Sequence, residues 1–359
     1  MTNPSPAELA CCWVSTGKCG ILRDSPRQVP AGMEGPRSSL LSSMTAARQL
    51  LSPFFFFFFF FFVFSSLFSL ASSCLRQQPH ALLFATASHQ SQSVAMARPT
   101  GLIATKGIEL LTWGTPNGHK ANILLEELKE AYGLEYTFQG VNISQNIQKE
   151  PWFTAINPNG RIPAIVDHDN NDLAVFEGNA ILGYLARRYD TEHLFSFPVD
   201  SDDYTRSEAW IGWQHGGVGP MQGQASHFVR FIKEKIPYAM QRYVGETERL
   251  YGILNTRLAD RDYVVGPGRG KYSIADIALV GWANGLWFTT TSYDQFPNVK
   301  AWLLRLWDRP AVQRGFSLTS APFYDPRQGL SEEQAAKVAE DKKLVDAAKE
   351  QYGYKYQSP

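Results

Sequence analysis

Residues 111–128 read LTWGTPNGHKANILLEEL. An apolar run stops at a polar corner, Thr115-Pro-Asn-Gly-His-Lys, and then restarts at a different period. Before the corner, Ile108–Trp113 has the length and apolar character of a buried strand. After it, Ala121, Leu124, Leu125, Leu128, Ala131 and Tyr132 fall at helical spacing. Asn117 is a favoured helix cap and Gly133 a favoured helix stop, so the pattern predicts a strand–corner–helix unit.

The unit continues in the same style. Tyr136–Val141 alternates like a strand, and a polar linking segment leads to Asn157-Pro-Asn-Gly-Arg-Ile-Pro. Two short strands, Ala164–Val166 and Leu173–Phe176, flank an Asn-Asn-Asp hairpin turn, and a helix is predicted from Gly178 to about Tyr189. The order β-α-β, link, β-β-α describes a small four-stranded α/β domain over 107–192. Beyond a Pro/Asp-rich linker, 200–323 reads as all-helical, with six Trp residues from Trp210 to Trp307 as core material. Ser273 and Asp276 form an S-x-x-D capping arrangement before an apolar run, a structural helix start. The charged tail 324–359 carries a surface helix that needs no role beyond solubility or light cover.

Composition divides the chain. Residues 1–106 hold eight Lys/Arg and three Asp/Glu, leaving 26 basic and 31 acidic residues for 107–359. That mild acidity gives no electrostatic case for nucleic acid or an anionic membrane. All four cysteines (Cys11, Cys12, Cys19, Cys74) precede residue 75. The remainder therefore has no disulfide framework, no thiolate metal site and no cysteine nucleophile. It also lacks H-E-x-x-H spacing, and Gly266-Pro-Gly-Arg-Gly-Lys-Tyr misses the phosphate-loop pattern. No metal is expected.

The first 106 residues are a low-complexity extension containing PFFFFFFFFFVF at 53–64. Its apolar run is too short for a membrane span, which takes about 20 residues, and too deep in the chain for an ordinary secretory signal. Two readings stay open: an untranslated stretch read through in error, with Met96 as the true start, or a cleaved or anchoring segment such as a mitochondrial transit sequence.

The motifs Thr115-Pro-Asn-Gly-His-Lys, Asn157-Pro-Asn-Gly-Arg-Ile-Pro-Ala-Ile, Phe176-Glu-Gly-Asn-Ala-Ile-Leu and Gly217-Val-Gly-Pro-Met-Gln-Gly-Gln together resemble those of the glutathione transferases. The likeness is greatest to the fungal nitrogen-regulator-like branch and the bacterial nu-class disulfide-bond reductases, and it covers about Gly107 to Phe323. It implies an α/β thioredoxin-like domain followed by an all-α domain, with glutathione as co-substrate. In that frame Pro163 is a cis-proline that turns the Ile162 backbone toward the cysteinyl unit of glutathione. Glu177 holds the ligand's ammonium group, and the amide of Gly178 at a helix N-terminus holds its α-carboxylate. The family usually has Ser where this chain has Gly178, so a hydroxyl donor is missing unless Asn179 compensates. Arg161 and Gln148 match positions that contact the tripeptide's carboxylates. Trp213, Gly217, Gly219, Gln222 and Gln224 are expected across the cleft, at the second substrate.

The corner takes its meaning from the same likeness. Asn117 first, and Thr115 with it, would donate a hydrogen bond to the glutathione sulfur and keep it ionised, helped by the helix dipole. With no cysteine in the fold, the attacking sulfur must belong to the substrate. His119 is read as an exposed helix residue. The expected activity is conjugation of electrophiles, or reduction of small disulfides or peroxides, in a cytoplasmic homodimer with no nucleic-acid or membrane partner. The mitochondrion is the alternative compartment if the extension is a transit segment. The rival is a non-catalytic regulator or binding module on the same fold.

Overall fold

The computed structural model describes residues 98–321 and 323–354, which fall in one compact unit. The Phe-rich stretch, Met96 and the four cysteines lie outside the described residues.

The first unit forms as its pattern requires. Strand β1 (Ile108–Thr112) is buried along its whole length and leads through the corner into helix α1 (Gly118–Tyr132). Gly133, at φ 69°, ends α1 by donating its N–H to the Lys129 carbonyl at 3.0 Å. Strand β2 (Tyr136–Gly140) pairs parallel with β1, Ile108 opposite Tyr136. Strands β3 (Ala164–Asp167) and β4 (Leu173–Phe176) add on antiparallel, giving the order β2-β1-β3-β4. The turn between them uses positive φ at Asn171 and Asp172. Helix α3 (Gly178–Tyr189) follows at once.

The link before β3 is not merely polar coil. It contains two short 3₁₀ turns and helix α2 (Pro151–Ile156), whose Phe153 is buried with Leu111, Val141 and Ala164.

The second half is helical, as expected, with different breaks. Helix α4 (Asp202–Trp213) runs through a π turn at Gln214–Val218 into α5 (Gly219–Ser226) and a second π turn at His227–Phe231. The helical path ends there, with Ile232 already in extended backbone. Helices α6 (Pro237–Arg257), α7 (Ile274–Asn284) and α8 (Pro297–Trp307) follow, with a separate 3₁₀ turn at 286–289. At the start of α7, Asp276 accepts from the N–H of Ser273 at 3.1 Å, the N–H of Val264 at 3.0 Å and the indole of Trp302 at 2.9 Å.

Helix α9 (Pro310–Ser317) was not legible as a helix, and it packs along α1. The tail helix α10 (Glu332–Tyr352) lies against α6 and buries Asp341, Val345 and Ala348. Of the six tryptophans, Trp302 and Trp307 are fully buried, while Trp282 is only partly covered.

Candidate active site

The corner between β1 and α1 is built by backbone contact. Gly281 of α7 abuts Pro116 so closely that an added Cβ would lie 2.5 Å from the Pro116 carbonyl oxygen. Helix α7 therefore docks on the corner itself and delivers Trp282 beside Asn117. The indole Nε1–H donates to Asn117 Oδ1 at 3.2 Å. An indole N–H can only donate, so it fixes which end of the amide is oxygen. The Asn117 amino group is then left to face away from Trp282.

Asn117 does occupy the cap position of α1, but it does not cap with its side chain. Its backbone is already helical, and the Thr115 hydroxyl accepts from the Gly118 N–H at 3.1 Å instead. The two polar residues of the corner thus divide the work. Thr115 starts the helix, and Asn117, exposed, borders a cleft of about 630 Å³.

The opposite wall is the Asn157–Pro163 loop. Asn157 Nδ2 donates to the Arg161 carbonyl at 2.6 Å, and its Oδ1 accepts from the Asn159 N–H at 3.0 Å, so one side chain braces the turn. The Ile162–Pro163 peptide bond is cis, and both residues border the cleft with Arg161. Asn159 Nδ2 reaches Glu177 Oε1 at 3.3 Å.

Glu177 sits at φ 69°, ψ 119°, a conformation few side-chain-bearing residues adopt. The strained backbone holds its carboxylate over the cleft, 3.8 Å from His215 Nε2. Gly178 then opens α3, whose first amides have no partner within the helix's own ladder.

Beneath Gly178 is a group the sequence reading passed over. Lys120, 1% exposed, points along the floor of the cleft. Its ammonium donates to Gln214 Oε1 at 2.7 Å and, more weakly, approaches Asn179 Oδ1 at 3.5 Å. Burial pulls its pKa down to about 8, partly offset by the Glu177 charge. One signal was available: Lys120 falls one turn before Leu124, on the apolar stripe of α1. Asn157, Asn159, Gln214, His215, Pro220, Gly223, His227 and Trp282 are the other cleft residues that the sequence did not single out as site residues.

Of the residues expected in the site, Asn117, Arg161, Ile162, Pro163, Glu177, Gly178, Gly219 and Gln224 meet around this cleft. Thr115 and Gln222 instead border an adjoining, mainly apolar chamber of about 440 Å³, walled by Trp287, Phe288 and Phe316. Trp282 and Gly223 border both spaces. The other four lie elsewhere. Gln148 is buried behind the loop, its Nε2 on the Ile143 carbonyl at 3.4 Å. Asn179 donates from Nδ2 to the Ile211 carbonyl at 3.1 Å, so one of its two amide hydrogens is already engaged away from Gly178. Trp213 stacks edge-on to Trp210, with centroids 5.0 Å apart, and Gly217 faces Leu250.

His119 departs most from expectation. It is 6% exposed, its ring centroid is 4.2 Å from that of Phe316 on α9, and burial drives its pKa down to about 4. The unread helix α9 covers what looked like a solvent face.

Comparison with known proteins identifies the family. Residues 106–187 match the glutathione S-transferase N-terminal domain and residues 230–310 the C-terminal domain. A glutathione S-transferase-like protein of Aspergillus terreus, gedE, is 39% identical over 233 residues, covering 61% of this chain and 99% of the relative. The disulfide-bond oxidoreductase YfcG of Escherichia coli is 40% identical over 224 residues, covering 61% of this chain and 98% of the relative. A crystal structure of a glutathione transferase homolog from Lodderomyces elongisporus, with two GSH per subunit, superposes with a TM-score of 0.55 at 41% identity. It covers 59% of this chain and 99% of that one.

Proposed function

Because the chain belongs to the glutathione S-transferase family, we propose that the cleft binds glutathione with its sulfur at Asn117 and uses it as the attacking thiolate. The observation that carries this reading is the Trp282–Asn117 hydrogen bond, which engages the amide oxygen and leaves the amino group as a donor at the N-terminus of α1, on the border of the cleft. Gly118, His119 and Lys120 have their N–H groups already engaged by Thr115 Oγ1, Thr115 O and Asn117 O. The directed donor is therefore the Asn117 side chain, and the 15-residue helix adds its dipole.

Glutathione lies across the cleft with its cysteinyl backbone along Ile162 and its ammonium at Glu177. Arg161 faces one of its carboxylates. In conjugation, the thiolate forms a carbon–sulfur bond to an electrophile and expels the leaving group. In disulfide reduction, it forms a new S–S bond to one sulfur while the other leaves as a thiolate and takes a proton from water. The thiolate of a second glutathione then attacks the glutathione sulfur of that mixed disulfide, so that oxidised glutathione forms and the remaining substrate sulfur leaves as a thiolate and takes a proton from water. Within 107–359 no cysteine can take part, since that span has none. The apolar chamber beside Trp282 receives the second substrate. The acting unit is a cytoplasmic homodimer, by the same family likeness.

Retention on immobilised glutathione, followed by assay with an aryl halide and a small disulfide, tests the reading. Retention with turnover of either substrate supports it. Retention without turnover of any substrate points to the regulator instead, and no retention removes glutathione from the cleft.

A further inference from the structure

A buried cation ordinarily has a counter-ion, because moving its charge out of water is costly. Lys120 lacks one. It is almost fully buried, yet its ammonium meets two amide oxygens, on Gln214 and Asn179. Among the described residues, Glu177 is the carboxylate whose charge it feels, and no ion pair joins them. An ammonium carries three donors, so at least one remains for a ligand.

Its position is specific. A Cβ built on Gly178 would lie 3.2 Å from Lys120 Cδ and 3.7 Å from its Nζ. The ammonium therefore lies close to the space that a serine hydroxyl at position 178 would enter, at the open end of α3. The glycine both removes that hydroxyl and makes room for the lysine stem.

We propose that Lys120 is the donor that completes the carboxylate subsite at the start of α3, replacing with an ammonium ion the hydroxyl that Gly178 lacks. The ligand group is the carboxylate of an α-amino acid, its own ammonium held by Glu177; this rests on the proposed binding of glutathione. Gln214, fixed at the head of the π turn, and Asn179, anchored to the Ile211 carbonyl, aim the lysine. A bound carboxylate supplies the missing counter-charge and raises the lysine's pKa from about 8, so binding near that pH takes up a proton.

The test uses the full chain and S-methylglutathione, whose blocked sulfur removes the thiol from the measurement. Calorimetry in two buffers of different ionisation enthalpy reads affinity and proton uptake together. Wild type should bind with proton uptake near pH 8. Lys120→Met should bind about 10- to 100-fold more weakly, without uptake. Gly178→Ser should restore part of the affinity in the Lys120→Met background and add less in wild type, where the lysine already supplies the donor; equal gains in both backgrounds would mark the lysine as structural. Lys120→Arg keeps a cation that does not titrate in this range, so affinity should survive while uptake disappears; this arm stands even if the Met variant fails to fold. Equal affinity in wild type and Lys120→Met, or undiminished uptake in Lys120→Arg, overturns the assignment of Lys120 alone. If wild type itself fails to bind S-methylglutathione, the proposed glutathione site falls and this inference with it.

Discussion

Replacing Trp282 with Phe should raise the pKa of bound glutathione's thiol although the residue is not expected to touch sulfur. The indole commits Asn117 Oδ1 at 3.2 Å, and Phe keeps the ring while deleting that donor. A neutral hydrogen bond contributes about 1 kcal/mol net, so without it the amide can flip and present oxygen to the cleft. The donor bond to a charged sulfur contributes about 1.5–3 kcal/mol, equivalent to about one to two pKa units. Asn117→Ala should lose all of that. Trp282→Phe should lose only the orienting part, up to about 0.7 unit. The assay is ultraviolet titration of the thiolate in the glutathione complex, with the pH profile of kcat/KM as a second readout. The ordering wild type, Trp282→Phe, Asn117→Ala is expected, with turnover falling at least about tenfold in the last. A shift in Asn117→Ala but none in Trp282→Phe refutes the orienting role. No shift in either removes Asn117 from the chemistry.

Three further outcomes follow from the packing and the titrating groups. Gly281→Ala puts a methyl group against the Pro116 carbonyl and should cost about 1–3 kcal/mol in denaturant unfolding, with a raised thiol pKa as α7 backs away from the corner. His119, with its pKa near 4 in the fold against about 6.5 unfolded, binds fewer protons folded than unfolded in between. Its contribution is therefore lost as pH falls below 6.5, and wild type should lose about 2 kcal/mol more than His119→Gln between pH 7 and pH 5. Asp276→Ala strands two backbone donors and the Trp302 indole in the core, and should cost at least about 3 kcal/mol in thermal unfolding.

How much of this was legible follows from where each signal resides. The four strands, α1 and α3 were readable because their apolar residues repeat at a local period within the segment. Helices α2 and α9, six and eight residues long, are too short to display that period, and each starts at a proline. Missing α9 carried a second error, since it is Phe316, far along the chain, that buries His119. The roles of Thr115 and Asn117 could not be separated from composition, because either residue type caps a helix; only the backbone geometry at 117 decides. Trp282 read as core material because nothing in its own neighbourhood names Asn117 as its partner. Lys120 was the recoverable omission, a charge on an otherwise apolar stripe.

The central claim is that the reactive sulfur arrives with glutathione and is held as thiolate by Asn117 beside the first turn of α1. A crystal structure of the full chain with glutathione tests it most directly. The account predicts sulfur within hydrogen-bonding reach of Asn117 Nδ2, with the cysteinyl unit along Ile162 and the glutamyl carboxylate at Gly178. Glutathione bound elsewhere, or with its sulfur turned away from Asn117, contradicts it.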